Sequence, residues 1–309
     1  MHSHMTSLRH LPDSDVDYLV RRGAWFAGPE SRGHRPLADL VVGGFFRATS
    51  TRTRTAFASA ALRLGAGHVA YGPGDLQLNT GESMEDTARV LARMLDALVV
   101  RTAGDPREVE ALAGQERMAV VNAMSADEHP TQALADLTTM WRHFGRIAGL
   151  RILYVGEGNN TAAALALALP RYAGVSLCLA TPPGYGLDAE ILAEAVRLAK
   201  EHDASVWETH DLADAPGGVD VVYTTRWQTT GTSKPDPDWR AAFAPFQVNR
   251  ALMARHPEAV FMHDLPAHRG EDVTAEVLDG AASIAFDQAE NKTHSAKAVL
   301  EWCILGRNE

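Results

Sequence analysis

The sequence has few cysteines and no long hydrophobic run. Among its 309 residues only Cys178 and Cys303 are cysteines, and neither lies in a C-x-x-C pair or a Cys/His cluster. This spacing predicts neither a disulfide framework nor a structural zinc site. No apolar segment approaches the ~18 residues that a membrane-spanning helix requires. Because no signal peptide is recognisable either, the sequence favours a cytoplasmic protein with no membrane partner.

The sequence also lacks a basic block. Its 29 Lys and Arg residues face 39 Asp and Glu residues, which gives a net charge of −10 at pH 7. A general nucleic-acid binder needs clustered positive charge, so this class is excluded. The first five residues, Met-His-Ser-His-Met, resemble the remnant of an expression tag. We therefore expect them to lie outside the fold.

Short β-rich runs alternate with amphipathic helical patterns along the whole chain. This alternation predicts an α/β protein with doubly wound, mostly parallel sheets. The length predicts about two domains of roughly 150 residues each, and the pattern breaks near residues 142–150. We therefore expect domains at 1–145 and 146–289. The expected strands are 41–46, 68–71, 97–100, 118–121, 152–155, 175–179, 219–223 and 260–262, with weaker candidates at 205–207 and 284–286, and the expected helices include 83–98 and 131–144.

An unusual helix start follows the first strand. Ser50 and Thr51 are good N-cap residues, but Arg52 and Arg54 place positive charge where the helix dipole disfavours it. A bound phosphate or carboxylate would resolve this conflict. The alternative is an ordinary cap followed by two solvated arginines.

A second helix start lies at residues 129–132, His-Pro-Thr-Gln. Pro130 suits the first turn, and His129 and Gln132 are three residues apart, so both can face one cleft. The imidazole could polarise a carbonyl and the amide could bind an amide. The alternative is that His129 only caps the helix.

Two cofactor interpretations are weak. Gly156-Glu157-Gly158 follows a strand, but Thr161 holds the third glycine position and the next strand lacks the acidic residue of a nicotinamide site. His263 and His268 flank Leu-Pro-Ala at poor ligand spacing, with no third ligand nearby. We therefore predict no cofactor and no metal.

Taken together, these segments resemble the aspartate/ornithine carbamoyltransferase family. Residues 50–54 and 129–132 resemble its two signatures, and 82–91, 156–160, 265–271 and 287–291 are similar to its ornithine branch. The resemblance implies a carbamoyl-phosphate domain, an acceptor domain, and a C-terminal helix at about 290–309 that returns to the first domain. It also implies an interdomain active-site cleft, a homotrimer, and carbamoyl transfer from carbamoyl phosphate to the amine of an amino acid.

The resemblance also implies residue roles. A tetrahedral oxyanion would form and phosphate would leave, with catalysis by positioning and a pre-organised oxyanion site. The implied catalytic residues are Arg52, Arg101, His129 and Gln132. Carbamoyl phosphate would be bound by Ser50, Thr51, Arg52, Thr53, Arg101, His129, Gln132, the Leu265 carbonyl and Lys292, with Gln77 reaching in from a neighbouring subunit.

The acceptor side departs from the ornithine branch. That branch has Asp where this chain has Thr225, while Arg226 and Gln228 resemble the carboxylate-binding pair of the aspartate branch. Asp264 replaces a Cys, and could bind an ammonium or orient the nucleophile. The alternative is that Arg226 faces solvent or pairs with Asp220 or Glu157. The expected acceptor-binding residues are Asn160, Thr225, Arg226, Gln228, Thr229, Thr230, Asp264 and Leu265.

These departures predict a non-ornithine acceptor, for example a short diamino acid such as 2,3-diaminopropionate. Three alternatives remain. The first is an ornithine carbamoyltransferase of arginine biosynthesis, and the second is a catalytically silent metabolite-binding homologue. The third, a nicotinamide dehydrogenase, would show a nucleotide-induced thermal shift.

Overall fold

The computed structural model describes residues 2–229 and 232–307. It divides into two compact units. The first unit comprises Met1–Trp141 and Glu290–Glu309, and the second comprises Arg142–Ala289. No helix within the described ranges combines the length and the apolar character needed to cross a membrane.

The first unit is built on a four-stranded parallel sheet with the order β2-β1-β3-β4. Strands β1 and β3 are buried along almost their whole length because a parallel sheet is covered on both faces. The strands are β1 (Val41–Phe46), β2 (Gly67–Tyr71), β3 (Ala97–Arg101) and β4 (Ala119–Asn122). The helices are α1 (Asp13–Ala27), α2 (Arg52–Arg63), α3 (Met84–Leu91), α4 (Arg107–Ala113) and α5 (Pro130–Phe144).

The second unit is built on a five-stranded parallel sheet with the order β7-β6-β5-β8-β9. Strands β8 and β9 are neighbours, and Thr224 pairs with His263 at their carboxyl ends. The strands are β5 (Arg151–Val155), β6 (Ser176–Ala180), β7 (Ser205–Thr209), β8 (Val221–Thr224) and β9 (Val260–His263). The helices are α6 (Asn160–Ala168), α7 (Ala189–Glu201), α8 (Trp239–Phe243), α9 (Arg250–Ala254), α10 (Ala275–Leu278) and α11 (Ala285–Leu305), whose residues from 290 onward belong to the first unit. The predicted fold class is confirmed.

The amino-terminal residues belong to the first sheet. Met5 is fully buried and pairs in parallel with Val121. Its N–H donates to the Val120 carbonyl at 2.8 Å, and its own carbonyl accepts from the Asn122 N–H at 2.8 Å. The expectation that this segment lies outside the fold is therefore wrong at Met5, while Met1 lies outside the described residues.

Two sequence-predicted elements differ from the structure. Segment 284–286 is not a strand, because α11 begins at Ala285 after a single bridge between Phe261 and Ser283. The helix predicted at 83–98 ends early, at Leu91. Its start is as predicted, with Ser83 as the N-cap residue that accepts the Asp86 N–H. Leu95 packs in the core although it lies beyond the helix, so its apolar side chain indicated burial and not a longer helix.

Candidate active site

The start of α2 offers hydrogen-bond donors in the first unit. Thr51 is the N-cap residue, but its side chain makes no capping hydrogen bond. The Ser50 hydroxyl is buried and has no hydrogen-bond partner among the described residues. Thr53 is also buried, and its hydroxyl accepts from Arg101 Nη1 at 3.3 Å. The first turn of α2 therefore keeps backbone and side-chain donors that an anion could bind.

His129 lies close to two cations in the same unit. Arg101 ends β3, Lys292 lies on α11, and all three side chains are buried. Burial lowers the pKa of His129 well below its usual value, and the charges of Arg101 and Lys292 lower it further. The imidazole is consequently neutral at neutral pH. It keeps one N–H to donate, and Thr131 Oγ1 lies 3.3 Å from its Nδ1.

The Gln132 amide is held at both ends. Its Nε2 donates to Asp136 Oδ1 at 2.8 Å, and its Oε1 accepts from Lys292 Nζ. The sequence reasoning missed Asp136, which lies one helical turn beyond Gln132 and is fully buried. A small cavity opens here, lined by Thr53, Ala56, Phe57, His129, Thr131, Gln132, Lys292 and Ala296.

Other predicted residues of the first unit lie apart from this cavity. Gln77 is exposed, and its Oε1 accepts from the Thr80 hydroxyl at 3.0 Å. Arg52 is half-buried at the start of α2. Arg47 pairs with Glu108 at 2.6 Å. Its charge is therefore balanced within its own unit.

Asp264 is bound by two hydroxyls in the second unit. Thr225 Oγ1 donates to it at 3.0 Å and 3.1 Å, and Thr161 Oγ1 donates at 3.0 Å. Because β8 and β9 are neighbours, the residues that follow them come together. The structure thus joins Thr225 and Asp264, which were predicted separately for the acceptor site.

A buried histidine lies behind Asp264. His263 Nε2 is 2.8 Å from Asp272, and its Nδ1 accepts the Leu265 N–H at 2.8 Å. Burial opposes a charge on the ring, but the neighbouring Asp264 and Asp272 carboxylates raise its pKa overall. The Leu265 N–H opposes protonation at Nδ1, since that nitrogen must keep its lone pair. Leu265 has a φ of 56° and precedes a cis proline, Pro266. Asp272 and His263 were not predicted as site residues.

Arg226 directly follows Thr225 in the chain, and its side chain is half-buried. The two carboxylates proposed as its alternative partners are engaged elsewhere: Asp220 pairs with Arg151 at 3.1 Å, and Glu157 pairs with Lys234. Within residues 2–229 and 232–307, Arg226 makes neither a hydrogen bond nor an ion pair.

The other residues predicted for the acceptor site lie in and around the segment after β8 and at the start of α6. Gln228 Nε2 donates to the Thr232 carbonyl at 2.7 Å, and Thr229 Oγ1 accepts from Asn159 Nδ2 at 3.0 Å. Asn160 is buried as the first residue of α6, while Asn159 is the residue that caps this helix. Thr230 lies outside the described residues.

A buried lysine with three aromatic neighbours was missed by the sequence reasoning. Lys234 Nζ donates to Glu157 Oε1, and it lies 4.6 Å, 4.9 Å and 5.4 Å from the ring centroids of Tyr185, Phe243 and Trp239. Its side chain is 4% exposed. Glu157 also accepts the Thr229 hydroxyl at 3.2 Å. The cluster thereby fixes the described part of the segment after β8, and no sequence spacing signals it.

Family comparison defines the class of protein that carries these residues. The carbamoyl-phosphate-binding domain of aspartate/ornithine carbamoyltransferases matches residues 3–142, and the Asp/Orn-binding domain matches residues 148–303. The chain therefore belongs to the aspartate/ornithine carbamoyltransferase family. It is a carbamoyltransferase, and the nicotinamide-dehydrogenase interpretation is set aside.

Individual relatives agree with the family match. The anabolic ornithine carbamoyltransferase of Pyrococcus furiosus is 43% identical over 269 residues, covering 86% of this chain and 84% of the relative. The ornithine carbamoyltransferase of Anoxybacillus flavithermus is 38% identical over 297 residues, covering 95% and 94%. A solved structure of ornithine carbamoyltransferase from P. furiosus superposes with a TM-score of 0.92 at 37% identity, covering 99% of this chain and 98% of that chain.

Proposed function

We propose that this carbamoyltransferase moves the carbamoyl group of carbamoyl phosphate to a short diamino acid such as 2,3-diaminopropionate. The first unit would bind carbamoyl phosphate, and the second would bind the amino acid. The half-buried Arg226, which has no carboxylate partner among the described residues, carries the choice of acceptor.

Carbamoyl phosphate suits the donors of the first unit. Its phosphate dianion needs hydroxyls, backbone N–H groups and guanidinium groups, and Ser50, Thr51, Arg52, Thr53 and Arg101 supply them. The buried Ser50 hydroxyl supports this assignment, since it is otherwise unsatisfied within the described residues. In the homotrimer that the family resemblance implies, Gln77 of a neighbouring chain would complete the phosphate site.

The chemistry follows from a neutral His129. The neutral amine of the acceptor forms a bond to the carbamoyl carbon, and the carbonyl oxygen becomes an oxyanion. His129, Arg101 and Thr51 would stabilise that oxyanion with N–H and O–H donors. The carbon–oxygen bond to phosphate then breaks, and phosphate leaves with the electron pair and the surplus proton of the nitrogen. Gln132 and the Leu265 carbonyl would orient the carbamoyl amide.

The acceptor assignment rests on a relocated carboxylate and an added cation. The family resemblance places the ammonium-binding Asp of ornithine enzymes at position 225, after β8. This chain has a hydroxyl at Thr225, and the nearby carboxylate is Asp264, after β9. Asp264 would bind an ammonium group of the acceptor from the end of β9 instead of the end of β8. Arg226 would bind the acceptor's carboxylate through its planar guanidinium group. Such a pair specifies an amino acid held differently from ornithine.

Ornithine is the second candidate acceptor. The observation in its favour is that the relatives described above are named ornithine carbamoyltransferases, at 38% and 43% identity. In that case the carboxylate that the ornithine branch carries at position 225 would be replaced by Asp264 on the neighbouring strand, and ornithine would still bind.

The test is phosphate release from carbamoyl phosphate with a panel of acceptors and mass detection of the product. The panel contains ornithine, 2,3-diaminopropionate, 2,4-diaminobutyrate, lysine and aspartate. We expect a short diamino acid to give the highest kcat/KM. Ornithine as the best substrate would refute the proposed acceptor.

Two variants test the residues. We expect Arg226→Ala to raise the acceptor KM about 10- to 100-fold, which matches roughly 1.5–3 kcal/mol for a charged hydrogen bond. The KM for carbamoyl phosphate should stay unchanged. Arg197→Ala, on the exposed face of α7, is the matched control. An unaltered acceptor KM in Arg226→Ala would remove this residue from the site, and full activity of Asp264→Asn with diamino acids would remove Asp264.

A further inference from the structure

A second pocket lies in the first unit, with a cavity volume of about 480 Å³. This size is within the ~300–1,000 Å³ range of small-molecule sites. Its lining differs entirely from that of the cavity beside His129. The residues that carry the argument are Phe26, Arg32, Arg35, Arg63 and Lys297.

The pocket concentrates positive charge. Arg32, Arg35 and Arg63 are exposed at its rim, and Lys297 is 8% exposed in its wall. None of the described residues that line it is acidic. Four cations without a lining carboxylate are unexpected in a chain whose net charge is −10.

Lys297 differs from the other lysines of the chain. The sequence has four: Lys200 is exposed, Lys234 pairs with Glu157, and Lys292 donates to Gln132. Lys297 makes no hydrogen bond or ion pair to any residue that the structure describes, and its ammonium lies 5.2 Å from the Phe26 ring centroid. Burial and the nearby charge of Arg63 lower its pKa. A buried ammonium without an acceptor is unfavourable, so an anion bound beside it would be stabilised.

The nearest acid along α11 does not neutralise Lys297. Glu301 lies one turn further along the helix and is fully buried. Its two oxygens accept from Arg22 Nε at 2.6 Å and bond His34 Nε2 at 2.6 Å. Its charge is therefore committed to Arg22 and His34, and the pocket retains its excess of cations.

We propose that this pocket binds the phosphate group of a small metabolite, at a site separate from the carbamoyl-phosphate site. The buried Lys297 ammonium would contact the phosphate as a point charge, and the rim arginines would add bidentate contacts. The cavity is larger than a bare phosphate, which leaves room for an organic part. Helices α2 and α11 line both cavities, through Thr53 and Lys292 in one and Arg63 and Lys297 in the other.

The test counts bound phosphate by equilibrium dialysis with radiolabelled inorganic phosphate. Phosphate is also the product of carbamoyl transfer, so the catalytic site binds it too. We expect two phosphate ions per wild-type chain, one in Lys297→Met, and two in the surface control Lys200→Met. The complementary variant Arg101→Met should keep the Lys297-dependent ion. One ion per wild-type chain, or two in Lys297→Met, would overturn the proposal.

Melting temperatures show whether a variant loses the second phosphate ion because it fails to fold. In phosphate-free buffer we expect Lys297→Met to melt at or above the wild-type temperature, because it removes a buried charge without an acceptor. If that variant does not fold, Arg63→Gln at the exposed rim should weaken the second phosphate at least 10-fold, and unchanged affinity would contradict the proposal. Carbamoyl transfer by Lys297→Met and Arg63→Gln should persist, so loss of the second ion is distinguishable from failure of the catalytic assignment.

Discussion

Glu128 should make the stability of this protein fall as pH rises. Its side chain is 3% exposed, and it accepts the Ser7 hydroxyl at 2.5 Å and the Leu8 N–H at 2.8 Å. Burial raises the pKa of Glu128 from 4.5 to about 7, although these two hydrogen bonds oppose the shift. The folded protein therefore holds a proton that the unfolded chain releases.

The sign and size of the effect follow from this difference. Below pH 4.5 the carboxyl is protonated in both states, so it contributes no pH dependence. Between pH 4.5 and 7 only the unfolded chain ionises, which favours unfolding as pH rises. The loss levels off above pH 7 at about 3 kcal/mol, because one pKa unit is worth about 1.4 kcal/mol.

The matched variant is Glu128→Gln, whose side chain has the same shape as the protonated carboxyl, offers one acceptor oxygen and one donor group as that carboxyl does, and cannot ionise. Unfolding followed by urea titration from pH 4.5 to pH 8.5 should show equal stability at the acid end. At the alkaline end we expect the variant to be more stable by about 3 kcal/mol. Glu116→Gln, at an exposed position of the same unit, is the control. A stability gap that does not change with pH would refute the reasoning.

Two further substitutions test the second unit. Gly158→Ala would place a Cβ 2.2 Å from the Leu187 backbone nitrogen, which cannot move aside, so we expect the melting temperature to fall sharply. The control Gly217→Ala adds a Cβ with nothing within 4 Å and should leave the melting temperature unchanged. Lys234→Met should cost about 3 kcal/mol of unfolding free energy and raise the acceptor KM, since it leaves the Glu157 carboxylate without its cation. Wild-type stability of either site variant in calorimetry would contradict these expectations.

The parallel strands were readable from the sequence because both faces of a parallel sheet are buried. Segments such as 41–46 and 97–100 therefore appear as continuous apolar runs. The same signal failed at 284–286, where a β-rich run starts a helix and Phe286 is 60% exposed. It also failed at Met5, whose pairing with Val121 is too distant in sequence for any local pattern to indicate.

Residues of the candidate site were predictable where they occur in compact motifs. Arg101, His129 and Lys292 follow strands or lie in motifs with recognisable neighbours, and the structure places the charges of Arg101 and Lys292 close to the His129 imidazole. Lys234 could not be found this way, because it is 77 residues from Glu157 and lies in a segment without periodicity. Asp272 likewise contacts His263 from a stretch that carries no separate signal.

The charges of the two units explain why one chain can hold chemically opposite substrates. The first unit buries Arg101 and Lys292 beside a histidine whose pKa is held low, so this region is cationic while its imidazole stays neutral. The second unit instead holds carboxylates: the half-buried Asp264 is bound by hydroxyls, and the fully buried Asp272 is bound by an imidazole. A phosphate dianion gains most from the first environment, and an amine-bearing acceptor gains most from the second. The net charge of −10 does not reveal this arrangement, because the few charged groups of the candidate sites are separated by sign between the two units and are a small part of the total.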